Sequence, residues 1–422
     1  MTRRATAAQG VLAERNFRLF LTGYTASVLG ASMVPVALTF AVLNEGHPVA
    51  DVGYVLSAEA VPLVLLLLLG GVLADRFSRK VVMVSTDLAR FASQGLLAGL
   101  LVSGSPPLWV FMVLSGVLGA GQALFNPALT GLLPELVSAE VLQKANALRG
   151  VASSTGGVIG PAVAGVIVAA GGAGWAVAID AATYAVSAWC LGRLDLTVRG
   201  VLERSSMLSQ LGAGWREFRS KTWLWAIVVQ FGLFNLIAYP PFFVLGAVVA
   251  RDRLGGARAW GLILAAMAAG SVVGGLGAIR IRPRRPLRLA TVATFGFAIP
   301  IALLAIPVAT AWVAIGALAA GLSLAVFNTL WETTLQQAVP AELLSRVSAY
   351  DWLGSTALVP IGFALAGPAA GAFGIGDTLW FGAAWIVVTT LAVLAVPDVR
   401  RLRPPVATVA NGMTMRSQVD KL

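Results

Sequence analysis

The chain has 422 residues, of which 58% are hydrophobic and only 12% charged, and its mean hydropathy is +0.84. A soluble domain carries roughly 25% charged residues, so this chain lacks the polar surface that a water-soluble protein needs. One cysteine (Cys190) and one histidine (His47) exclude a disulfide framework and a Cys/His metal cluster, and the net charge of +11 sits beside apolar runs, where anionic lipid headgroups account for it without nucleic acid.

The first apolar run, 17–43, follows Arg3, Arg4, Arg15 and Arg18. It is too long for the apolar region of a cleavable signal, about 7–15 residues, and is read as a spanning helix. Further spans are predicted over 52–74, 81–103, 108–131, 147–171 and 174–193, then 223–249, 258–279, 288–308, 311–331, 347–373 and 376–396. Each is near the length of about 20 residues that crosses a bilayer core. Lipid offers the backbone no hydrogen-bond partners, and runs this long do not suit barrel strands, so helices are expected. The polar connection 194–222 is expected either to lie on the membrane as an amphipathic helix or to serve as a solvated linker. The polar tail 397–422 is expected to be disordered.

Outside-facing connections contain Arg251, Arg253 and Arg258; the rest of the 30 Lys and Arg residues fall in segments and helix ends on the opposite side. Bases concentrate on the cytoplasmic side of membrane proteins, which predicts both termini inside.

"FNPALTGLLPELVSAEVLQKANAL" from Phe125 and "FNTLWETTLQQAVPAELLSRVSAY" from Phe327 align without a gap at an offset of 202. The offset pairs Asn126 with Asn328, Gly160 with Gly362 and Gly165 with Gly367. Two six-helix halves in the same orientation follow, related by an axis along the membrane normal, an arrangement used by secondary transporters. The expected fold is therefore all-α, with twelve transmembrane helices. The halves are 1–193 and 223–396, joined by 194–222 and followed by the tail 397–422.

Two motifs carry a family resemblance. "GVLADRFSRK", Gly71 to Lys80, resembles the signature between helices 2 and 3 of the major facilitator superfamily. "GGVIGPAVAG", Gly156 to Gly165, is similar to the helix-5 motif of its antiporters. "NFRLFLTGYTAS" and "LQKANALRGVASSTGGVIGPAVAG" are most similar to the drug–proton antiporter branch that includes macrolide-efflux and enterobactin-exporter proteins. The chain departs from the pattern at Ser78, which replaces the signature glycine, and at Ser115, where related antiporters carry arginine in helix 4. The second-half turn "GGLGAIRIRPRR" has no aspartate.

The resemblance implies a latch at the cytoplasmic end of helix 2, with Asp75, Arg76, Arg79 and Lys80 extended by Asp87 and Arg90. Plain topogenic charge explains Arg79 and Lys80 but not the acid. Acids inside spans are costly and so are functional candidates. These are Glu59 and Asp180, with Asp351 and Glu332 nearer the inner face. A packed, hydrogen-bonded role is favoured for Asp180 over a role in transport, because family helix 6 is peripheral. The helix-5 motif contributes Gly156, Gly160, Pro161 and Gly165, which permit close packing and a bend. If the family arrangement holds, the cavity is lined by Tyr24, Ser27, Gln122, Asn126, Arg149, Gln230, Asn235, Tyr239, Asn328 and Trp331. Each of these is equally suited to joining helix to helix.

The expected function is export of an amphiphilic small molecule (drug, antibiotic, siderophore or other metabolite) by alternating access, in exchange for protons. The alternatives are an importer or facilitator of the same fold, and a membrane-embedded sensor or lipid-handling protein without solute turnover. No enzymatic activity, metal or cofactor is expected. The partners are the substrate, protons and the lipid bilayer, and the protein is expected to act as a monomer in the plasma membrane.

Overall fold

The computed structural model describes residues 12, 14–76, 78–138, 141–195, 215–278, 280–281 and 283–402, without the side chains of 67–76, 341, 342 and 345. Among the described residues the chain is helical throughout, with no strands. Ten helices or helix pairs are long and apolar enough to cross a membrane.

The first half contains six long helices. They are α1 (Arg15–Asn44), α2 (Val49–Arg76), α3 (Arg79–Ser103), α4 (Leu108–Leu136), α5 (Leu142–Gly171) and α6 (Ala173–Gly192). Only Phe77 and Ser78 separate α2 from α3, so the two run antiparallel. α3 and α6 fall outside the set of ten spans, and both carry buried polar residues along the faces where they meet.

In the second half three of the expected spans are broken, each for a visible reason. The seventh consists of α7 (Thr222–Ile237), α8 (Tyr239–Val249) and a π-turn, Ala250–Leu254. It breaks at Ala238, just ahead of Pro240 and Pro241, which lack backbone N–H groups. α9 (Ala257–Ala278) is continuous. The ninth span is α10 (Pro286–Ala293), a 3₁₀ turn (Thr294–Phe297) and α11 (Ala298–Ala305), with Pro300 following the tight turn. α12 (Thr310–Ala338) is continuous. The eleventh span divides into α13 (Ala341–Thr356) and α14 (Val359–Phe373), parting ahead of Pro360, where helical backbone is disfavoured. α15 (Ile375–Ala395) and a short α16 (Pro397–Arg401) complete the described chain. The expected tail thus begins with a helical turn, in which Val399 is fully buried. Most of the 194–222 connection, and the tail from residue 403, lie outside the described residues.

The offset of 202 read from the sequence is also structural. It maps Leu108–Leu136 onto Thr310–Ala338 end to end, and it maps the C-terminal residues of α2, α3 and α5 onto those of α9, α11 and α14. The helix pairings repeat as well. α2 packs on α4 as α9 packs on α12, and α3 packs on α6 as α11 packs on α15.

The halves meet through α5 against α9 and α2 against α14. Both contacts are placed by glycine. A Cβ at Gly165 of α5 would lie 2.6 Å from the Ala257 carbonyl oxygen, and one at Gly367 of α14 would run into Ala50 of α2. These contacts lie at the end of the molecule that carries the α1–α2 and α5–α6 connections.

Candidate functional site

Three polar side chains of α3 face three of α6 in a single antiparallel register. Gln94 Nε2 donates to Asp180 Oδ2 at 3.0 Å, Arg90 lies against Tyr184, and Asp87 faces Ser187. The same register continues to the helix ends, where Lys80 Nζ donates to the Leu194 carbonyl at 2.6 Å. Within α3, Arg90 Nη2 donates to Asp87 Oδ1 at 2.7 Å. The guanidinium lies between two rings, 4.6 Å from the centroid of Phe125 on α4 and 4.6 Å from that of Tyr184. Cation–π contact with both rings holds the charge where water does not reach.

Two glycines make room for the ladder. A Cβ at Gly121 would press on the Arg90 stem at 2.8 Å, and one at Gly30 of α1 would lie 2.7 Å from Asp180 Oδ1. Among the described residues, the unsatisfied buried polar atoms concentrate around the ladder. Asp87 Oδ2, Arg90 Nε, Ser115 Oγ, Asp180 Oδ1 and Ser187 Oγ are buried without a protein hydrogen-bond partner. Ser115 stands where related antiporters are expected to carry a helix-4 arginine. Arg90 of α3 is buried nearby, lying on Gly121 of α4.

The resemblance assigns Asp87 and Arg90 to an extension of the latch at the α2–α3 connection. The structure turns both into the bundle, at 0% and 4% exposure, and pairs them with each other. Of the remaining latch residues, Arg79 Nη1 donates to Glu135 Oε1 at 2.7 Å and to the Gly131 carbonyl at 2.6 Å, both on α4. Lys80 is taken by Leu194, and the side chains of Asp75 and Arg76 lie outside the described residues.

Between the halves, α4 and α12 expose polar stripes at helical spacing. Gln122, Asn126 and Thr130 lie on α4, and Asn328, Glu332 and Gln336 on α12. Asn126 and Asn328 are repeat mates, so the two stripes face the gap from pseudo-equivalent positions. Arg149 of α5 is half-buried and has no ion-pair partner among the described residues, whereas its repeat mate Asp351 accepts a 2.9 Å bond from Trp331 Nε1. The two repeat mates are therefore not in contact.

Not every expected lining residue reaches this gap. Ser27 and Gln230 are each 5% exposed, and Trp331 is buried. Gln230 Nε2 instead donates to Thr390 Oγ1 at 3.2 Å, and Thr390 also meets Thr294 at 2.9 Å. Asn235 donates to the Ser355 carbonyl at 2.8 Å, and Tyr24 stacks on Phe20 at 5.7 Å. Both remain partly accessible, as does Tyr239.

Glu59 of α2 is half-buried, and its own backbone carbonyl packs against Gly119 of α4. It lies within electrostatic reach of Asp180 in its own half and of Tyr239 in the other. No base pairs with it among the described residues. The α5 motif joins both halves at once. Gly156 and Gly160 lie against Val28, Leu29 and Ser32 of α1, while Pro161 and Gly165 meet Gly261 and Ala257 of α9.

Sequence reasoning does not single out Gln94, Tyr184 or Ser187. Their signal is the polar spacing 87, 90, 94 on one helix and 180, 184, 187 on another, but nothing in either helix alone says that the two faces meet.

Known proteins supply the remaining context. The sequence profile described as Major Facilitator Superfamily matches residues 20–354. The enterobactin exporter EntS of Escherichia coli O157:H7 (strain EC4115 / EHEC) is 27% identical over 94% of this chain and 96% of its own length. The protein of the same name from Salmonella choleraesuis (strain SC-B67) is 28% identical over 93% and 95%. Among solved structures, the nucleoside transporter NupG superposes with a TM-score of 0.71 at 14% identity, covering 90% of this chain and 98% of that one. At that identity the likeness speaks to fold alone.

Proposed function

The chain belongs to the major facilitator superfamily and is a multi-pass membrane transporter, and from that premise we propose that it exports an amphiphilic small molecule in exchange for protons. What supports the reading is Glu59, a half-buried carboxyl without a basic partner among the described residues and within electrostatic reach of both halves. An acid in such a position exchanges its proton with whichever side the gap faces. Coupling requires only that proton and substrate prefer different states. The exposed stripes of α4 and α12 are mostly uncharged amides and hydroxyls, such as Gln122, Asn126, Thr130 and Asn328, which suits an amphiphile better than a densely charged solute. The relatives named as enterobactin exporters support a siderophore or similar metabolite as cargo.

In this reading both termini are cytoplasmic, the protein acts as a monomer, and the two halves, 1–193 and 223–396, rock about the substrate. The end held shut by α5–α9 and α2–α14 is the outer one. Asp75, with the bases around it, latches the opposite end when that end closes.

The test is substrate uptake into inverted membrane vesicles under an imposed pH gradient, together with the direction of flux in intact cells. Net inward flux in cells would favour an importer. Binding without flux in proteoliposomes would favour a sensor.

A further inference from the structure

At the end held shut by α5–α9 and α2–α14, the two halves depart from their shared plan. By the offset of 202, the last residue of α1, Asn44, falls on Gly246, yet the seventh span runs on through the π-turn to Leu254. α9 starts correspondingly late, at Ala257, whereas the mate of the first residue of α2 is Arg251.

The extra length walls a cavity of about 440 Å³, within the range of about 300–1,000 Å³ typical of ligand pockets. Val249, Leu303, Leu304, Val308 and Val313 line it, and Arg253 of the π-turn stands among them. The wall is fixed in place. The Gly256 N–H donates to the Ala250 carbonyl at 2.8 Å, and Thr310 Oγ1 donates to the Leu254 carbonyl at 3.0 Å. π-turns are rare and recur at functional sites. At the matching corner of the first half stands a larger side chain. Phe111, the repeat mate of Val313, is fully buried there and meets the His47 ring edge-on at 5.9 Å. The fold thus accommodates a ring where the second half keeps a valine.

The mouth of the cavity faces lipid. Ile306 lines it and is itself 38% exposed, and Ile299 of α11 and Trp312 and Ile315 of α12 are exposed as well. Trp312 and Ile315 lie on the side of α12 away from Asn328 and its polar stripe. A tryptophan at a helix end marks the level of the lipid headgroups, so the cavity lies where acyl chains begin. Arg253 is exposed and has no ion-pair partner among the described residues, whereas Arg251 bonds Asp252 at 2.8 Å. The rule that places bases on the cytoplasmic side does not account for an arginine at this end.

We propose that the cavity takes part of an acyl chain of an anionic phospholipid from the leaflet at that end, with the headgroup phosphate on Arg253. Lipid tails are as apolar as the cavity wall, so apolar burial alone does not distinguish one lipid from its neighbours. The selectivity comes from the charge of Arg253. Phosphatidylglycerol brings a net negative charge to it, and phosphatidylcholine brings a cation along with its phosphate.

The test adds phosphatidylglycerol to the purified, delipidated full-length protein in detergent. Retained lipid is counted by native mass spectrometry, and binding is followed by the rise in melting temperature that a ligand of the folded state produces. Wild type should retain one phosphatidylglycerol with a saturable rise, and bind phosphatidylcholine about fivefold more weakly, the worth of one base near a charged lipid surface. Arg253→Gln should weaken phosphatidylglycerol by about the same factor and abolish the preference. Arg251→Gln should stay within about twofold, because Asp252 already neutralises that base. Val313→Phe and Ile306→Trp, which fill the cavity from its wall and its mouth, should each abolish saturable binding. If neither purifies as a monodisperse protein, the exposed Arg253→Gln decides. Inorganic phosphate should give no rise. The proposal is overturned by lipid binding that does not saturate, by phosphatidylcholine held as tightly, by Arg253→Gln or a purified cavity-filling variant that binds as wild type does, or by inorganic phosphate giving the same rise. Lipid binding is read without flux, so the result stands apart from the transport reading.

Discussion

Arg90 and Asp87 are bonded at 2.7 Å one helical turn apart, with both side chains sealed inside the first half. The pair is held by α4 and α6 as much as by α3, since the guanidinium lies over the rings of both Phe125 and Tyr184. Removing one partner leaves the other as an uncompensated buried charge, which costs about 3–5 kcal/mol. Arg90→Gln is therefore expected to lower the melting temperature in detergent steeply. Arg90→Lys should not restore it, because an ammonium lacks the planar fork that both stacks and bonds. An unchanged melting curve for Arg90→Gln would refute this account of the ladder.

The exposed pair at the α2–α3 connection behaves differently. Arg79 and Glu135 are each about 30% exposed and bond at 2.7 Å, and such pairs contribute only about 0–1 kcal/mol. Glu135→Gln is expected to leave stability almost unchanged. Asp75→Asn should likewise leave membrane insertion intact, yet reduce flux, because the proposed latch acts only when that end closes. Normal flux in Asp75→Asn would remove the latch from the mechanism.

Gly165 sets how closely the halves approach, since its missing Cβ would lie 2.6 Å from the Ala257 carbonyl. Gly165→Val is expected to hold that end apart. With Cys190 replaced by serine, spin labels at Glu45 and Asp377 should report a longer mean distance in the valine variant. Flux should fall while expression is maintained. An unchanged distance distribution would show that the contact does not control closure.

Much of this architecture was legible in the sequence, for a physical reason. Lipid forces long apolar helices, and a duplicated half leaves a fixed offset, so Asn126 and Asn328 could be paired before any coordinates. The breaks at Ala238 and ahead of Pro360 were hidden because hydropathy is blind to backbone geometry. The charge ladder was hidden for another reason. Asp87, Arg90 and Gln94 share a face only with Asp180, Tyr184 and Ser187, and that pairing is set by how α3 packs on α6.

Proton coupling through Glu59 is the central claim, and separating exchange from accumulation tests it most directly. Ethidium, an amphiphilic dye standing in for the cargo, is followed into inverted vesicles carrying wild type or Glu59→Gln, with and without a pH gradient. Wild type should accumulate the dye only while the gradient stands. Glu59→Gln should still exchange labelled for unlabelled dye across the membrane but fail to accumulate it. Accumulation that persists after the gradient is collapsed, or that Glu59→Gln leaves untouched, would contradict the account.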